Sequence, residues 1–351
     1  MRYYGCDAHK RYCVFSYMDK DGDHGPSLRV SNEREHFINF LETLPPGSCI
    51  AIETVGNYYW MVDEMEKAGH DPKLTNAGKA KLMMGQLNKT DKLDAEGLAL
   101  LLRNGTLPEV WIPPGELRDQ RELPRMRMTF VGVRTKLKNR IHSYLSKYAI
   151  EIKEVRDIFG SKGRKILGKR IEELPQQTKR SVQAHLELLD QVGAQIKSCE
   201  EQIKAVVKET AEINLLKTIP GVGDVLAIVI AMEVGDVSRF PRAQNLASYA
   251  GTVPRVKDSG GRRYYGRVRP DVNRYLKWAF IEAANVVVLN QKRWSHQHVT
   301  RLYMRIKQRR GHGKAVVAVA RHMAEATYWM LKKNEPYKDP QKKEPVSSTR
   351  K

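Results

Sequence analysis

Apolar and polar positions change period several times along the chain, and each change marks an expected element. Tyr3 to Asp7 and Tyr12 to Met18 are short runs rich in aromatic and β-branched residues. The turn signal Asp19-Lys20-Asp21-Gly22 follows them, so the two runs predict a β-hairpin. A third strand is expected to end near Val30. Asn32, with Glu35 three residues later, resembles a capping box and predicts a helix toward Leu44, where Pro45-Pro46-Gly47 breaks it. Ser48 to Glu53 reads as a buried strand ending in a carboxylate. Helical sequence runs from about Tyr58 to Ala68, another strand ends at Leu74-Thr75, and Asp91 to Arg103 is again helical.

Three strands, then helix, strand, helix, strand, helix is the order of an RNase H-like domain, and many α/β folds share much of it. From Arg118 to Lys147 the character changes: nine Lys or Arg face only Glu116, Asp119 and Glu122, while Val133, Leu137, Ile141 and Tyr144 or Leu145 keep a helical period. This stretch is either a solvated helix face or a phosphate-tracking surface carrying Arg125, Arg127, Arg134 and Lys138. A heptad-like seam follows: Val182, Leu186, Leu189, Val192, Ile196, Cys199, Ile203 and Val206. It fits a coiled coil, within the chain or between protomers, and equally an amphipathic helix packed on its own domain. The expected division is residues 1–110 (α/β), 111–212 (basic helical and coiled-coil), 213–333 (compact, mainly helical) and 334–351. That last segment is Lys-, Pro- and Ser-rich without apolar period, and is expected to be a disordered basic tail.

Composition narrows the partner. The 351 residues carry 61 Lys plus Arg against 40 Asp plus Glu, a surplus of 21 positive charges. Such a surface repels itself unless a polyanion shares it, so nucleic acid is the default partner and a membrane surface the weaker one. With 41% hydrophobic residues the chain can build sizeable cores, which rules out wholesale disorder. Cys6, Cys13, Cys49 and Cys199 form no CxxC pair, a reduced, cytosolic pattern without a disulfide framework or a cysteine-ligated zinc. The N-terminus has no apolar signal core, and the longest apolar run, Val225 to Met232, is too short for a bilayer. A soluble, cytoplasmic protein is expected.

Four acids attract attention on chemical grounds. Asp7 and Glu53 each close a strand, and Asp91 and Asp94 sit three apart at a helix start, on one face about 5–6 Å apart. A pair of divalent ions roughly 3.5–4 Å apart needs several such hard oxygen ligands. Equally, Asp at a helix start is a common cap, and acids at strand ends are usually solvated. Spacing alone leaves both open.

The second half carries other signals. Pro220-Gly221-Val222-Gly223 precedes the apolar run, the pattern of a helix-hairpin-helix element whose glycines let backbone N–H groups approach phosphates. A plain glycine-rich link fits too, and Asp224 adds negative charge at that spot. Between Arg255 and Lys277 lie eight Lys or Arg against Asp258 and Asp271. Within it, Asp258-Ser259-Gly260-Gly261-Arg262-Arg263 reads as a turn, or as an exposed hydroxyl among arginines able to approach a phosphodiester. A serine nucleophile needs a base or metal nearby, and no histidine adjoins it in sequence.

Residues 53–58, Glu-Thr-Val-Gly-Asn-Tyr, and residues 88–95, Asn-Lys-Thr-Asp-Lys-Leu-Asp-Ala, resemble the signatures of bacterial transposases of the insertion sequence 110/1111 family. The later order is similar to that family's C-terminal domain: Pro-Gly-Val-Gly, Arg239-Phe240, Leu246-Ala247-Ser248-Tyr249-Ala250-Gly251, Ser259-Gly260-Gly261, then Asn273-Arg274 and Leu276. The matching blocks span roughly residues 3 to 104 and 215 to 290. The resemblance implies a RuvC-like, RNase H-like N-terminal domain joined by a coiled-coil connection to a mainly helical domain. It implies a Mg²⁺-binding Asp-Glu-Asp-Asp tetrad at Asp7, Glu53, Asp91 and Asp94, and a catalytic serine at Ser259. It implies nucleic-acid contacts at Gly221, Gly223, Arg262, Arg263, Arg267, Asn273 and Arg274. It also implies a recombinase acting on donor and target DNA, paired with an element-encoded noncoding RNA and assembled as a dimer or tetramer. Its composite site draws on both protein halves, and the heptad seam is the expected dimer contact. Val272 stands where the family usually has Gly. A hydrolytic, structure-specific nuclease and a non-catalytic nucleic-acid scaffold are the competing expectations.

Overall fold

In the computed structural model, residues 2–85, 90–269 and 271–340 are described, and the chain divides into two units, Met1–Gly115 and Glu116–Lys351. The first is built in chain order from β1 (Tyr3–Ala8), β2 (Tyr12–Met18), β3 (Leu28–Ser31), α1 (Arg34–Glu42), β4 (Cys49–Glu53), α2 (Tyr58–Lys67), β5 (Asp71–Thr75), α3 (Ala77–Met84) and α4 (Asp91–Arg103). The strands make one sheet in the order β3-β2-β1-β4-β5, antiparallel on the β2 side of β1 and parallel on the β4 side. β1 is buried along nearly its whole length because helices cover both faces of the sheet. Phe37, Leu41, Met61 and Met65 from α1 and α2 pack with Phe15, Ile50 and Ile52, while Leu98 and Leu101 of α4 pack with Ala51 and Ala80. Gly5 permits the α4 contact: a Cβ there would stand 1.9 Å from the Ala95 carbonyl oxygen.

Two local expectations change. Asn32 does not cap α1; Glu33 does, without a side-chain bond. Ser31 is still paired in the sheet, so Asn32 faces back, donating from Nδ2 to the His9 carbonyl (2.6 Å) and accepting from Cys13 Sγ (2.9 Å). The short helix α3 has no counterpart in the periodicity reading. Asn76 opens it by accepting from Lys79 N, and its outer side leaves Leu82 and Met83 exposed, which hides any apolar period.

The second unit contains α5 (Gly115–Gln120), α6 (Glu122–Lys147), α7 (Ser161–Arg170), α8 (Gln176–Val206), α9 (Ala211–Lys217), α10 (Asp224–Val234) and α11 (Ala243–Tyr249). After these come β6 (Pro254–Ser259), β7 (Arg262–Val268), α12 (Arg274–Leu289), α13 (His298–Arg310) and α14 (His312–Lys333). α6 and α8 form an antiparallel pair: Arg127 meets Glu200, Tyr144 meets His185, and Tyr148 meets Thr178. Most of the heptad seam packs within the chain: Val182, Leu189, Val192 and Ile196 are buried with Leu137, Ile141 and Leu145 of α6 and with Leu167 of α7, while Val206 at its end is exposed.

The remaining helices enclose a core that includes Leu216, Ile230, Phe280, Ala283, Val319 and Tyr328. The run Val225 to Met232 lies in α10, and no described helix is long and apolar enough to cross a membrane. Residues 334–340, expected to begin a disordered tail, make defined contacts: Tyr337 packs against the helical core and its N–H donates to Thr218 Oγ1 (2.8 Å), and Asp339 accepts from His298 N (2.9 Å). One aromatic side chain suffices to dock so short a segment. The rest of that tail, and Asn88 and Lys89 of the family-like segment, lie outside the described residues.

Candidate carboxylate centre and basic ribbon

Asp7 lies near the end of β1 and Glu53 at the end of β4; these strands run parallel with Cys6 opposite Ile52, so the two acids occupy the next register position together. Asp91 and Asp94 fall in the first turn of α4, where the positive end of the helix dipole favours them and the Thr90 side chain caps the helix by accepting from Leu93 N (3.2 Å). The structure brings Asp7 and Asp91 together with a residue the sequence reading passed over, His9. One ligand atom from each of Asp7, His9 and Asp91 lies within 4.8 Å of the others. His9 Nε2 stands 3.1 Å from Asp7 Oδ2 and 3.3 Å from Asp91 Oδ2. Asp94 is outside this trio yet near enough for its charge to act on Asp7, and Glu53 is likewise outside it. His9 lies just past the end of β1, two residues after Asp7, and carried no signal of its own in the sequence.

Electrostatically the centre is incomplete. Burial pushes the Asp7 carboxyl above its ordinary range; His9 pulls it down, and the charges of Asp94 and Asp91 push it further up. Asp91 Oδ2 accepts from Tyr12 Oη (2.9 Å). Asp7 Oδ2 and His9 Nε2, in contrast, are closed to solvent and face each other at 3.1 Å as an ion pair, with no other polar partner at either atom besides Asp91 Oδ2 at 3.3 Å from the imidazole. Oxygen and nitrogen donors converging without satisfying one another are suited to a divalent cation.

Ser259 sits at the tip of a two-stranded ribbon, β6–β7, nearly all of it exposed. Gly260 and Gly261 have φ of +58° and +72°, the doubly left-handed pair that a tight two-residue hairpin turn needs. Register sorts the side chains. Ser259 pairs with Arg262 and Lys257 with Tyr264, so these four share one face; Asp258 pairs with Arg263 and Val256 with Tyr265 on the other. On that second face Arg263 is bonded to Asp258 (Nε to Oδ2, 2.9 Å); Arg267 lies beyond Tyr265, where the register slips. The serine therefore shares its face with uncancelled positive charge and an exposed tyrosine. Lys257 and Tyr264 were not singled out in the sequence; period-two counting across the turn would have found them.

The other expected nucleic-acid contacts divide. Arg125 is committed to the fold: Nε and Nη2 donate to the two oxygens of Glu233 (2.7 and 3.0 Å), a residue 2% exposed. Arg127 donates from Nε and Nη2 to Glu200 Oε1 (2.8 and 2.6 Å). Asn273 caps α12 through Oδ1 and donates from Nδ2 to Glu233 (2.8 Å) and to the Tyr249 hydroxyl (3.1 Å). Gly221 serves packing: with φ +85°, a Cβ there would lie 2.4 Å from the Ala283 carbonyl oxygen. Gly223 precedes α10 in extended geometry, and Asp224 beyond it pairs with Lys217 (2.8 Å). Lys138 lies over the Phe159 ring, Arg134 is half-buried on α6, and Arg274 is exposed at the start of α12. Val272 is accommodated because it lies against Gly251, where a Cβ would come within 2.6 Å of it.

Comparison with known proteins agrees with the resemblance. A family model described as the transposase IS116/IS110/IS902 family matches residues 213–300, and a transposase model of the IS110 DEDD type matches residues 4–150. The chain is 26% identical to the transposase for insertion sequence element IS1111A of Coxiella burnetii, over 87% of this chain and 83% of that protein. It is 25% identical to a probable family 20 transposase of Pseudomonas aeruginosa, over 81% and 83%. It is 23% identical to a putative transposase of Sinorhizobium fredii, over 95% and 85%. The matches begin in the carboxylate-bearing sheet and extend through the serine ribbon, and they run in the same order as the motifs: the chain belongs to the IS110/IS116/IS902 family of transposases.

Proposed function

We propose that the chain cuts and rejoins DNA strands for an insertion sequence, with Ser259 as nucleophile and Asp7, Glu53, Asp91 and Asp94 as a divalent-cation site. The observation that carries this is the placing of Ser259 at an exposed tip, on one ribbon face with Lys257, Arg262 and Tyr264. The Ser259 hydroxyl attacks a backbone phosphorus; an Oγ–P bond forms as one P–O bond breaks, and the departing strand leaves as a hydroxyl with the proton the serine gives up. A second strand's hydroxyl reverses the exchange and frees the serine. Bond energy is conserved, so no ATP is needed, consistent with a sequence that has no GxxxxGK[ST] loop. Lys257 and Arg262 hold the phosphate's negative charge, and Tyr264 offers a ring on which a base stacks.

The donors around Asp7 fit a divalent ion, Mg²⁺ by resemblance to the family, because Asp7 Oδ2 is buried with no hydrogen bond. When bound, such an ion supplies Lewis-acid polarisation of a phosphoryl oxygen. The strand order β3-β2-β1-β4-β5 supports an RNase H-like first unit, and α9, the 218–223 turn and α10 stand as a helix-hairpin-helix element. The 21 surplus positive charges support polyanionic partners: donor and target DNA, and an element-encoded noncoding guide RNA, on a homodimer or homotetramer. The test is a strand-joining assay with the copurifying RNA and matching DNA. Ser259→Ala should lose both joining and the covalent protein–DNA adduct while binding DNA with unchanged salt dependence. If Ser259→Ala still cuts, water is the nucleophile and the protein is a hydrolytic nuclease. If Asp91→Asn alters neither cutting nor biological output, the chain is a scaffold.

A further inference from the structure

The carboxylate centre includes a nitrogen donor that the tetrad does not count. His9 Nε2 lies 3.1 Å from Asp7 Oδ2 and 3.3 Å from Asp91 Oδ2, and the three donors fit within 4.8 Å of one another. Asp7 is 8% exposed, and both its Oδ2 and His9 Nε2 are shut off from solvent without a hydrogen-bond partner. A histidine there to neutralise one aspartate would pair with that one; this nitrogen stands nearly equidistant from an oxygen of each.

The residue is anchored through its backbone: the His9 carbonyl accepts from Asn32 Nδ2 (2.6 Å) and Asn57 Nδ2 (3.1 Å), and the backbone N–H donates to the Tyr12 carbonyl (2.9 Å), while the ring leans on that of Tyr12 at 4.8 Å. Tyr12 in turn donates to Asp91, so one tyrosine steadies both the imidazole and a carboxylate. Such support from a surrounding shell is what fixes metal ligands in their coordinating orientation.

We propose that His9 is a direct nitrogen ligand of the cation held by Asp7 and Asp91, which makes the centre a mixed nitrogen–oxygen site that takes Mn²⁺ in preference to Mg²⁺. The physical reason is relative: both ions favour oxygen, but Mg²⁺ demands near-ideal octahedral oxygen geometry and gives up its waters reluctantly, so replacing one oxygen by an imidazole nitrogen costs it more than it costs Mn²⁺, a transition ion. This inference rests on the cation site of the proposed function and adds a ligand and a metal preference to it.

The test uses the full-length chain loaded with Mn²⁺ and examined by pulsed electron paramagnetic resonance, with Mn²⁺ and Mg²⁺ affinities measured by titration. The wild-type chain should show ¹⁴N modulation from a coordinated imidazole. His9→Ala should lose that modulation and bind Mn²⁺ about tenfold more weakly, within the range expected for a lost contact at a metal site, while Mg²⁺ affinity changes much less. Mn²⁺ bound to the wild-type chain without nitrogen modulation, or modulation that persists in His9→Ala, overturns the assignment of His9 and leaves the carboxylate site standing. Mn²⁺ and Mg²⁺ binding no better than in Asp7→Asn overturns the cation site and this ligand together.

Discussion

Glu233 on α10 and Asp7 on β1 are both acids withdrawn from water, at 2% and 8% exposure, and their neighbours are of opposite kinds. Glu233 has a bidentate Arg125, the Asn273 amide, and Arg121 at 3.9 Å. These partners come from α6, the loop before it and the start of α12, so the charge ties separate helices of the second unit together. Asp7 has Asp91 and Asp94 pressing on it electrostatically, and its Oδ2 is closed to solvent with His9 Nε2, at 3.1 Å, as its counter-group. A buried charge with its partners supplied by the fold holds the fold together. A buried charge crowded by like charges costs stability, which the cation of the proposed function would offset.

The strongest way to break this contrast is Glu233→Leu. It strands Arg121 and Arg125 without their counter-charge, and urea unfolding followed by helical circular dichroism should report a loss of about 3–5 kcal/mol. A loss under about 1 kcal/mol would mean that the node is dispensable.

Asp7→Asn should act with the opposite sign. The Asp7 carboxyl is raised above its ordinary range, so its contribution to stability is complete at acid pH and is lost as pH rises through the raised value. Removing the charge should therefore stabilise the metal-free chain at pH 7 to 8, seen as a rise in Tm. The gain should disappear at acid pH, where Asp7 is already protonated. A gain of the same size at every pH, in thermal scans with chelator, would show that charge is not its cause.

The smallest effect sharpens the comparison at its margin. Glu200, the partner of Arg127, is 37% exposed on its side chain, so Arg127→Ala should cost only about 0.2–1 kcal/mol in the same unfolding assay. DNA affinity and its salt slope should stay as they were. A slope reduced by about one would instead assign Arg127 to a phosphate.

Strands and most helices of the first unit were legible in the sequence because their signals are local: turn residues, caps and apolar period act within a few positions. That Asp7 falls near the end of a strand and Asp91 and Asp94 in the first turn of a helix was legible for the same reason. The acid partners of Arg125 and Arg127 were not legible, because a count of charges along one helix carries no information about Glu233, 108 positions away, or Glu200, 73 away. His9 was overlooked because a lone histidine has no meaning until Asp91 is folded beside it.

The heptad seam shows where the division falls. Sequence alone determined that α8 has an apolar stripe that must be covered, since burial of apolar area is proportional to area and indifferent to direction. Tertiary structure alone decided that α6 covers it, and likewise which arginines are spent on buried acids and which remain on the serine's face of the ribbon. Local periodicity specifies what a segment needs; only packing of segments distant in the chain specifies what supplies it.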